Sequence, residues 1–369
     1  MRDPKAQQVL RVGGHAGSGK TTIIKEILAE FPELNIAVTT FTGKAAQVLR
    51  SKGVPDAINL HQIFYIPDPV KMAEKLTLDA ALAVADASEK ATIRQQIQRL
   101  TAKMFTRVDE IPFDLVIVDE ASMVPGRITE DLLRYGKPVL AVGDPAQLGP
   151  VERSANDPLF AGQDVDIELT GQHRAVGGVL ADVAHAARDN RGLPPEVLVS
   201  NPDYLAYDAI LVSTNKTRWR LTREIRKLAG KPVAEPVPGD ELMVLRNTPA
   251  LGLFNGSTFV VAEVEREWAK RNAFRVTTTD GDVLSVDSRG FSEQTESAAK
   301  SAGKSTVVAT FCEAMTVHKA QGSEWDRVLV AENLWAPERD DKIRARYTAV
   351  TRAREAIHVA DESFLRPVK

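Results

Sequence analysis

Short runs of apolar and β-branched residues alternate along the chain with longer segments whose apolar residues recur at helical spacing. This alternation is typical of strand–helix–strand units around a parallel sheet. The predicted strands are Val9–Val12, Ile36–Thr40, Leu115–Val118, Val139–Val142, Ala209–Ser213, Val328–Ala331 and Ile357–Val359. The first, third and fourth run directly into polar motifs. Because ligands bind at the carboxyl ends of the strands in open α/β sheets, we predict an α/β fold with its functional site at that edge.

Two segments interrupt this alternation. In residues 66–108, apolar residues at helical spacing stand among many charged ones, which predicts a solvated helix or helical hairpin. These apolar residues are Ile93, Ile97, Leu100 and Met104. In residues 232–306, short β-rich runs alternate with turns, which predicts a small inserted β-barrel. Its predicted strands are Glu241–Arg246, Ser257–Val264, Phe274–Thr279 and Val283–Val286, its turns are Asn255–Gly256 and Asp280–Gly281, and Gly290–Lys304 is predicted to be a mobile polar loop.

Composition narrows the class of protein. Of the 369 residues 43% are hydrophobic and 26% charged, as in globular proteins with more than one core. The net charge of −3 excludes a general basic field, so nucleic-acid contacts are expected only from local clusters. Cys312 is the single cysteine, which excludes an internal disulfide and a thiolate zinc cluster and predicts a buried, inert thiol. The first residues lack a signal peptide's apolar core and no run is long enough to span a bilayer, so a cytoplasmic location is expected.

The segment Gly14–Thr21, GHAGSGKT, has the pattern of a phosphate-binding loop and follows a predicted strand. Its glycines let backbone N–H groups surround phosphate oxygens, and the amino terminus of the next helix completes the anion site. Lys20 brings positive charge to the β- and γ-phosphates of ATP, and the Thr21 hydroxyl is a ligand for Mg²⁺. A chance glycine-rich loop would not explain the strand before it and the helix after it. The predicted ATP-binding residues are Gly14, His15, Ala16, Gly17, Ser18, Gly19, Lys20, Thr21 and Thr22.

Two further strands end in acids. The segment Asp114–Ser122, DLVIVDEAS, places Asp119 to hold Mg²⁺ and Glu120 to polarise an attacking water. The segment Val139–Val151, VLAVGDPAQLGPV, places Gln147 to sense the γ-phosphate or to orient that water. Either segment alone is ordinary, but together with the phosphate-binding loop they predict a nucleoside triphosphatase.

Two arginines, one near the carboxyl end and one at the junction of the two halves, are candidates for charge stabilisation. Arg352, in Tyr347–Arg354, YTAVTRAR, is the first candidate for an arginine finger, a group that accelerates phosphoryl transfer by about 10³–10⁵. Arg174, in Leu169–Ala175, LTGQHRA, is a second candidate. Because an isolated arginine is usually a surface charge, both assignments depend on the motifs around them.

The motifs occur in the order found in a known family. The chain resembles superfamily 1 DNA helicases in the motifs GHAGSGKTT, TTFTGKAA, VIVDEAS, GDPAQLGPV, LTGQHR, TVHKAQGSEW and YTAVTRAR. TVHKAQGSEW and the segment Ser213–Arg226, STNKTRWRLTREIR, most resemble the RecD/Dda branch, which includes phage-encoded members. The resemblance implies two RecA-like lobes, 1–176 and 206–369, joined by a connecting helix or linker at 177–205. It also implies that the β-rich insertion of the second lobe is an SH3-like barrel, and it makes Lys20, Glu120, Gln147, Arg174 and Arg352 the catalytic residues.

The same resemblance suggests DNA contacts. Phe41, Thr42, Lys44, His61, Asn215, Lys216, Arg218 and His318 fall in segments similar to the family's DNA-contacting motifs. A basic cluster supports this, since Lys216, Arg218, Arg220, Arg223, Arg226, Lys227 and Lys231 are accompanied locally only by Glu224. Aromatic candidates for base stacking are Phe41, Phe64, Tyr65, Trp219 and Trp325. The alternatives are a solvated basic helix and aromatic residues that pack in the core.

The resemblance implies an ATP-dependent DNA helicase that uses ATP and Mg²⁺ to move 5′→3′ on single-stranded DNA and separate duplexes. Its expected partners are single-stranded DNA and single-strand/duplex junctions, and possible protein partners are those of replication, recombination or repair. It is expected to act as a monomer or within an assembly. Two alternatives stay open: a motor subunit of a helicase–nuclease complex, and a nucleotide-gated single-strand-binding ATPase without directional unwinding.

Overall fold

Two parallel β-sheets, one from each half of the chain, form the framework of the protein. The computed structural model describes residues 8–86, 105–150, 158–160, 165–171, 178–248, 255–266, 272–292, 306–331 and 339–360, with scattered positions between 89 and 100 and at 251 and 253. The strands of the first half are β1 Val9–Gly14, β2 Ile36–Thr40, β3 Ile58–Asn59, β4 Tyr65–Pro67, β5 Phe105–Arg107, β6 Leu115–Asp119, β7 Val139–Gly143 and β8 Ile167–Leu169. The helices there are α1 Lys20–Glu30, α2 Gly43–Ser51, α3 Pro69–Val84 and α4 Gly126–Leu133.

Lobe 1 is built on a six-stranded parallel sheet with the strand order β3-β2-β6-β7-β1-β8. Its central strands are buried on both faces, which explains their nearly continuous apolar sequences. In β6, Val116 and Val118 pack into the apolar cluster on one face, and Ile117 packs into the cluster on the other. The motifs that follow β1, β6 and β7 therefore meet at one edge of the sheet.

The second half contains a parallel and an antiparallel sheet. Its strands are β9 Leu198–Val199, β10 Ala209–Val212, β11 Glu241–Val244, β12 Thr258–Arg266, β13 Ala273–Thr278, β14 Val283–Asp287, β15 Ala309–Phe311, β16 Ala314–Thr316, β17 Trp325–Ala331 and β18 Ala353–Ala360. Its helices are α5 Val179–Arg188, α6 Asn215–Leu228, α7 Val317–Ala320 and α8 Arg339–Val350. Lobe 2 has the parallel order β16-β10-β17-β18-β9, and the inserted sheet has the order β14-β13-β12-β11-β15.

The predicted connector differs from the structure. Residues 178–205 contain α5 and β9, and β9 pairs with β18 at the edge of the lobe 2 sheet. The apolar face of α5 is buried in the lobe 2 core through Val183 and Ala187, and Val197 joins them. This part of the connector therefore belongs to lobe 2, because its apolar residues need a core to bury them.

The inserted sheet has its own apolar core, which includes Phe259, Val276 and Phe311. The prediction of a mobile loop is wrong for its first residues, because Ser288–Phe291 forms a 3₁₀ turn and Phe291 is only 1% exposed. Its ring packs against Phe311, with 4.7 Å between the centroids. Residues 293–305, the remainder of that predicted loop, lie outside the described residues.

The insertion of lobe 1 begins and ends as an antiparallel ribbon of β4 and β5. Helix α3 follows β4, with Pro69 at its first turn and the Asp68 side chain accepting hydrogen bonds from the backbone N–H groups of Val70 and Lys71. Among the residues with the helical spacing, Ile93, Ile97 and Leu100 are helical, and Met104 lies outside the described residues. None of the helices in the described ranges has the length and apolar character needed to cross a membrane.

Candidate active site

The phosphate-binding loop joins β1 to α1. Gly17 and Gly19 have φ angles of 82° and 90°, a left-handed conformation that glycine adopts without steric cost. The Lys20 ammonium group donates hydrogen bonds to the carbonyl oxygens of Gly14, at 2.7 Å, and His15, at 2.9 Å. The lysine thus lies back along the loop, at the amino terminus of α1, where backbone N–H groups and a positive charge converge on one anion-sized site.

Two carboxylates follow β6 at the same edge of the sheet. Desolvation and the adjacent Glu120 carboxylate raise the pKa of Asp119 to about 6. Glu120 has a φ angle of 53°, which is an uncommon and strained conformation for a side chain of this size. The atom Glu120 Oε2 is buried and has no hydrogen-bond partner among the described residues. Two close acids with an unsatisfied oxygen form a site that a cation would stabilise.

The loop after β7 contributes a buried acid and a buried amide. Asp144 is fully buried and Gln147 is 2% exposed. Burial acts to raise the pKa of Asp144, but hydrogen bonds from His15 and Tyr347 and the charge of Lys20 hold that pKa below its ordinary value. Gln147 Oε1 has no partner in the part of the chain that the structure describes, so its carbonyl oxygen can still accept a hydrogen bond from a ligand or a water.

A cavity of about 300 Å³ lies between the two lobes at these motifs. Its lining residues are Ala16, Gly17, Gly19, Lys20, Thr21, Thr22, Ala45, Val48, Leu49, Lys52, Asp119, Glu120 and Gln147 from lobe 1, and Gly322, Glu324 and Arg352 from lobe 2. Gly14, His15 and Ser18 belong to the loop but not to this lining. The Lys52 ammonium and Glu324 carboxylate approach to 3.8 Å across the cavity.

Arg352 lies just after α8 and is 4% exposed. Its guanidinium donates hydrogen bonds to the carbonyl oxygens of Thr348, at 3.0 Å, and Ser323, at 3.4 Å, and to the Thr351 hydroxyl, at 3.2 Å. Within the described residues no carboxylate pairs with it. A buried cation held by neutral oxygens is suited to an anionic ligand. The other predicted arginine, Arg174, lies outside the described residues.

The predicted DNA contacts of lobe 1 gather near α2. The Thr42 hydroxyl accepts a hydrogen bond from the backbone N–H of Ala45 and so caps that helix. The Phe41 and His61 rings lie 5.7 Å apart, and the Lys44 ammonium lies 5.8 Å from the centroid of the Trp325 ring in lobe 2. Burial lowers the pKa of Lys44. Phe41 and His61 thus lie side by side, and Lys44 reaches a residue of lobe 2.

Lobe 2 places its predicted DNA residues differently. Asn215 and Lys216 are exposed at the first turn of α6, and His318 is exposed on α7. Arg218 is 5% exposed, and its guanidinium donates to the Asn215 side-chain oxygen at 3.2 Å and to the Thr310 hydroxyl at 3.1 Å. Arg218 thus orients Asn215 and ties α6 to β15, whereas Asn215 and Lys216 present their side chains to solvent.

Two residues of the basic cluster, Arg226 and Lys231, are paired with acids. Arg226 is fully buried, forms ion pairs with Asp240, at 2.8 Å, and Glu313, at 2.6 Å, and lies over the Phe311 ring. Lys231 also pairs with Asp240, at 2.8 Å. These acids lie outside the segment that carries the basic residues, so counting charges along that segment does not reveal them. The aromatic residues Phe64 and Trp219 are core residues.

Sequence reasoning missed several residues of the cavity. Lys52 and the apolar Val48 on α2 line it without any local signal. Glu324 does have a local signal, because it lies within the motif TVHKAQGSEW, but it was not among the predicted site residues. Tyr347, the first residue of YTAVTRAR, lies outside the cavity lining and was also not predicted, although its hydroxyl donates a hydrogen bond to Asp144 at 2.8 Å.

Fold and site together define a two-lobed phosphate-loop ATPase. Residues 4–198 match a family model described as an AAA domain, and residues 311–360 match a model described as a UvrD-like helicase C-terminal domain. Because the first match covers more than half of the chain, the chain belongs to that family. The second match and the sequence relatives described next make the chain similar to ATP-dependent DNA helicases of the RecD type.

Known proteins share both sequence and fold with this chain. The RecBCD enzyme subunit RecD of Mycolicibacterium smegmatis is 27% identical over 94% of this chain and 67% of its own length. The ATP-dependent RecD2 DNA helicase of Deinococcus radiodurans is 26% identical over 93% of this chain and 45% of its own. Bacteroides Pif1 bound to single-stranded DNA has a TM-score of 0.57 at 19% identity, covering 98% of this chain and 91% of that one. The chain thus spans two thirds or less of these two sequence relatives, and the structural neighbour shows the fold alone.

Proposed function

We propose that this protein hydrolyses ATP with Mg²⁺ in the interlobe cavity and couples hydrolysis to 5′→3′ movement on single-stranded DNA and duplex separation. One observation carries the proposal: Lys20 and Glu120 of lobe 1 and Arg352 of lobe 2 line the same cavity. A nucleotide bound by both lobes changes their relative position when it is hydrolysed, which is the basis of a motor.

The residues present fit a magnesium nucleotide. Thr21 and Asp119 would hold the cation, whose charge would offset the desolvation and the repulsion by Glu120 that raise the pKa of Asp119. Lys20 would exchange its two carbonyl partners for phosphate oxygens. The cation held there would supply positive charge against the negative charge that develops during phosphoryl transfer. Glu120 Oε2 and Gln147 Oε1, which are buried and have no partner among the described residues, could then accept hydrogen bonds from water.

The protein groups have separate proposed roles. Glu120 accepts a hydrogen bond from the attacking water and polarises it, while Gln147 orients that water or senses the γ-phosphate. Arg352 stabilises charge on the transferring phosphoryl group from the lobe 2 side, and Arg174 is a second candidate for that role. Closure of the lobes is therefore required for hydrolysis, because Arg352 and Glu120 belong to different lobes.

We propose that DNA lies across α2 of lobe 1 and the amino-terminal ends of α6 and α7. Phe41, Thr42, Lys44 and His61 contact it from lobe 1, and Asn215, Lys216 and His318 from lobe 2, with Arg218 acting through Asn215. The inserted antiparallel sheet is the proposed SH3-like barrel. Its Asn255 side chain accepts a hydrogen bond from Lys319 of α7 at 3.2 Å, which places it beside this surface. The helical insertion at 66–108 is proposed to meet the single-strand/duplex junction.

The catalytic part of the proposal is tested by Lys20→Ala and Glu120→Gln. Both variants should lose DNA-stimulated ATP hydrolysis while keeping a cooperative melting transition, because both residues line the cavity and belong to none of the apolar core clusters. Glu120→Gln should still bind ATP. Wild-type turnover in either purified variant would show that this cavity is not the hydrolytic site.

Direction is tested with duplexes that carry a 5′ or a 3′ single-stranded tail. Displacement from the 5′-tailed substrate alone supports the proposed polarity, and displacement from the 3′-tailed substrate reverses it. ATP turnover that rises with the length of single-stranded DNA indicates translocation. Turnover independent of length would instead indicate a nucleotide-gated binding module.

A second candidate is the motor subunit of a helicase–nuclease complex, because several sequence relatives are RecBCD enzyme RecD subunits. Unwinding that appears only after addition of host extract or purified partner subunits would favour it. The proposed cellular setting is the cytoplasm, with single-strand-binding, replication or recombination proteins as partners.

A further inference from the structure

The buried carboxylate of Asp144 contacts side chains from both lobes. The Tyr347 hydroxyl of lobe 2 donates a hydrogen bond to Asp144 Oδ2 at 2.8 Å and lies 3.4 Å from His15 Nδ1 of the phosphate-binding loop. His15 Nδ1 is also 3.5 Å from Asp144 Oδ1. Tyr347 is 2% exposed, so its hydroxyl is held in this position by packing as well as by hydrogen bonds. Three motifs that are far apart in sequence therefore share one carboxylate.

Asp144 in turn determines where Gln147 lies. Asp144 Oδ1 accepts a hydrogen bond from the backbone N–H of Ala146 at 3.0 Å. The Gln147 side-chain amide nitrogen donates to Asp144 Oδ2 at 3.4 Å, and the Gln147 backbone N–H donates to the Asp144 carbonyl at 3.2 Å. Because the side-chain nitrogen of Gln147 is hydrogen-bonded to Asp144, the side-chain oxygen of Gln147 is left to bind a ligand. This oxygen has no partner among the described residues.

Lobe 2 holds the next residue of the same loop even more directly. The backbone N–H of Leu148 donates to the Thr348 hydroxyl at 2.8 Å, and the Gln321 side chain donates to the Leu148 carbonyl at 3.0 Å. The Leu148 side chain is 5% exposed and belongs to the apolar cluster of lobe 2, although the loop follows a strand of lobe 1. The loop from Asp144 to Leu148 therefore has its supporting contacts on the opposite lobe.

We propose that the Tyr347 hydroxyl is a positioning group that, through Asp144, orients the Gln147 amide toward the nucleotide when the two lobes are closed. The inference rests on the proposed ATP hydrolysis in the interlobe cavity and adds a residue to it. Separation of the lobes removes Tyr347, Thr348 and Gln321 from the loop together. Gln147 then loses its defined orientation, and hydrolysis is confined to the closed state.

The test compares Tyr347→Phe with Tyr135→Phe. Tyr347→Phe keeps the ring and removes the donor to a charged oxygen, an interaction whose loss should lower kcat for DNA-stimulated ATP hydrolysis by about 10- to 100-fold. The KM for ATP should change by less than about twofold, since Tyr347 does not line the cavity. Tyr135 is the matched control, because its hydroxyl donates to the Val108 carbonyl at 2.8 Å within lobe 1, and its variant should keep wild-type kcat.

A double-mutant cycle separates positioning from simple lobe adhesion. Tyr347→Phe should cause no further loss of kcat in a Gln147→Ala background, measured in long single-turnover reactions that resolve slow rates. Effects that multiply would show that Tyr347 acts independently of Gln147, which overturns the inference. If Tyr347→Phe lowers the melting temperature, Asp144→Asn replaces it in the cycle. The effects of Asp144→Asn and Gln147→Ala on kcat should also be non-additive.

Failure of the inference and failure of the proposed function give different results. A wild-type protein without DNA-stimulated ATP hydrolysis contradicts the proposed function itself. An active wild-type protein whose Tyr347→Phe variant has unchanged kcat contradicts only the positioning role. A raised KM with unchanged kcat also contradicts it, because the hydroxyl would then contribute to nucleotide binding.

Discussion

Removal of the Arg352 guanidinium should nearly abolish ATP hydrolysis while leaving nucleotide binding in place. The side chain is buried at the cavity and is held by the Thr348 and Ser323 carbonyl oxygens and the Thr351 hydroxyl, with no carboxylate partner among the described residues. Its orientation is thus set by lobe 2, and its charge is available to the nucleotide. For a transition-state contact of this type, Arg352→Ala should lower kcat by about 10³–10⁵, equivalent to roughly 4–7 kcal/mol of activation free energy.

The measurement is steady-state ATP hydrolysis at saturating single-stranded DNA, together with equilibrium binding of a fluorescent ATP analogue. Arg354→Ala is the matched control, because Arg354 is 51% exposed and its partner among the described residues is Asp326, in a surface ion pair. It should keep wild-type kcat. Thermal melting of both variants checks the fold, since Arg352→Ala also removes three internal hydrogen bonds.

The reasoning would be refuted by an Arg352→Ala variant that melts normally and hydrolyses ATP within threefold of the wild-type rate. Loss of nucleotide affinity with unchanged kcat would also contradict it. In that case the guanidinium would bind the ground state and the transition state equally.

Four further predictions concern stability, DNA binding and thiol reactivity. Arg226→Met leaves two carboxylates without their buried cation and should lower the free energy of unfolding by about 3–5 kcal/mol in urea titrations. Burial acts to raise the pKa of Asp240, but the hydrogen bonds and ion pairs of its carboxylate bring that pKa below its ordinary value. The contribution of Asp240 to stability is therefore present at neutral pH and is lost as the pH falls through the folded-state pKa. In a plot of the free energy of unfolding against pH, Asp240→Asn should reduce the loss of stability on the acid side. Single-strand affinity should fall with salt by a log–log slope of about −0.7 per neutralised phosphate, and Lys216→Gln should make the slope shallower, whereas Arg134→Gln on exposed lobe 1 surface should not. Cys312 is buried and desolvation raises the pKa of its thiol well above the ordinary value, so it should react with a thiol reagent only after unfolding.

The strands could be predicted because their burial determines their composition. Ile36–Thr40 was predicted with the bounds that β2 has in the structure, since a central parallel strand is apolar on both faces. β17 extends back to Trp325, three residues before the predicted start at Val328. Its first residues are polar and were missed because only pairing with β18 identifies them as a strand.

Charge was the least predictable feature. The basic helix α6 predicted a DNA-binding surface, yet Arg226 is neutralised by Asp240 and Glu313, which lie 14 and 87 residues away in sequence. Local counting of charges cannot reveal such pairs, because burial and partner choice depend on which elements pack together. Lys216 at the start of the same helix is exposed, so DNA binding by that end of α6 stays a prediction.

The sequence by itself determined the chemistry of each lobe. Glycines in the phosphate-binding loop, acids after β6 and the amide after β7 each have a local signature, and parallel strands bring such ends to one edge. Tertiary structure alone decided how the lobes meet: Tyr347 reaches Asp144 from 203 residues away, and Leu148 of lobe 1 is buried in lobe 2. The physical reason is that a hydrogen bond or an apolar contact between distant segments depends on their packed positions, which no local pattern of residues encodes.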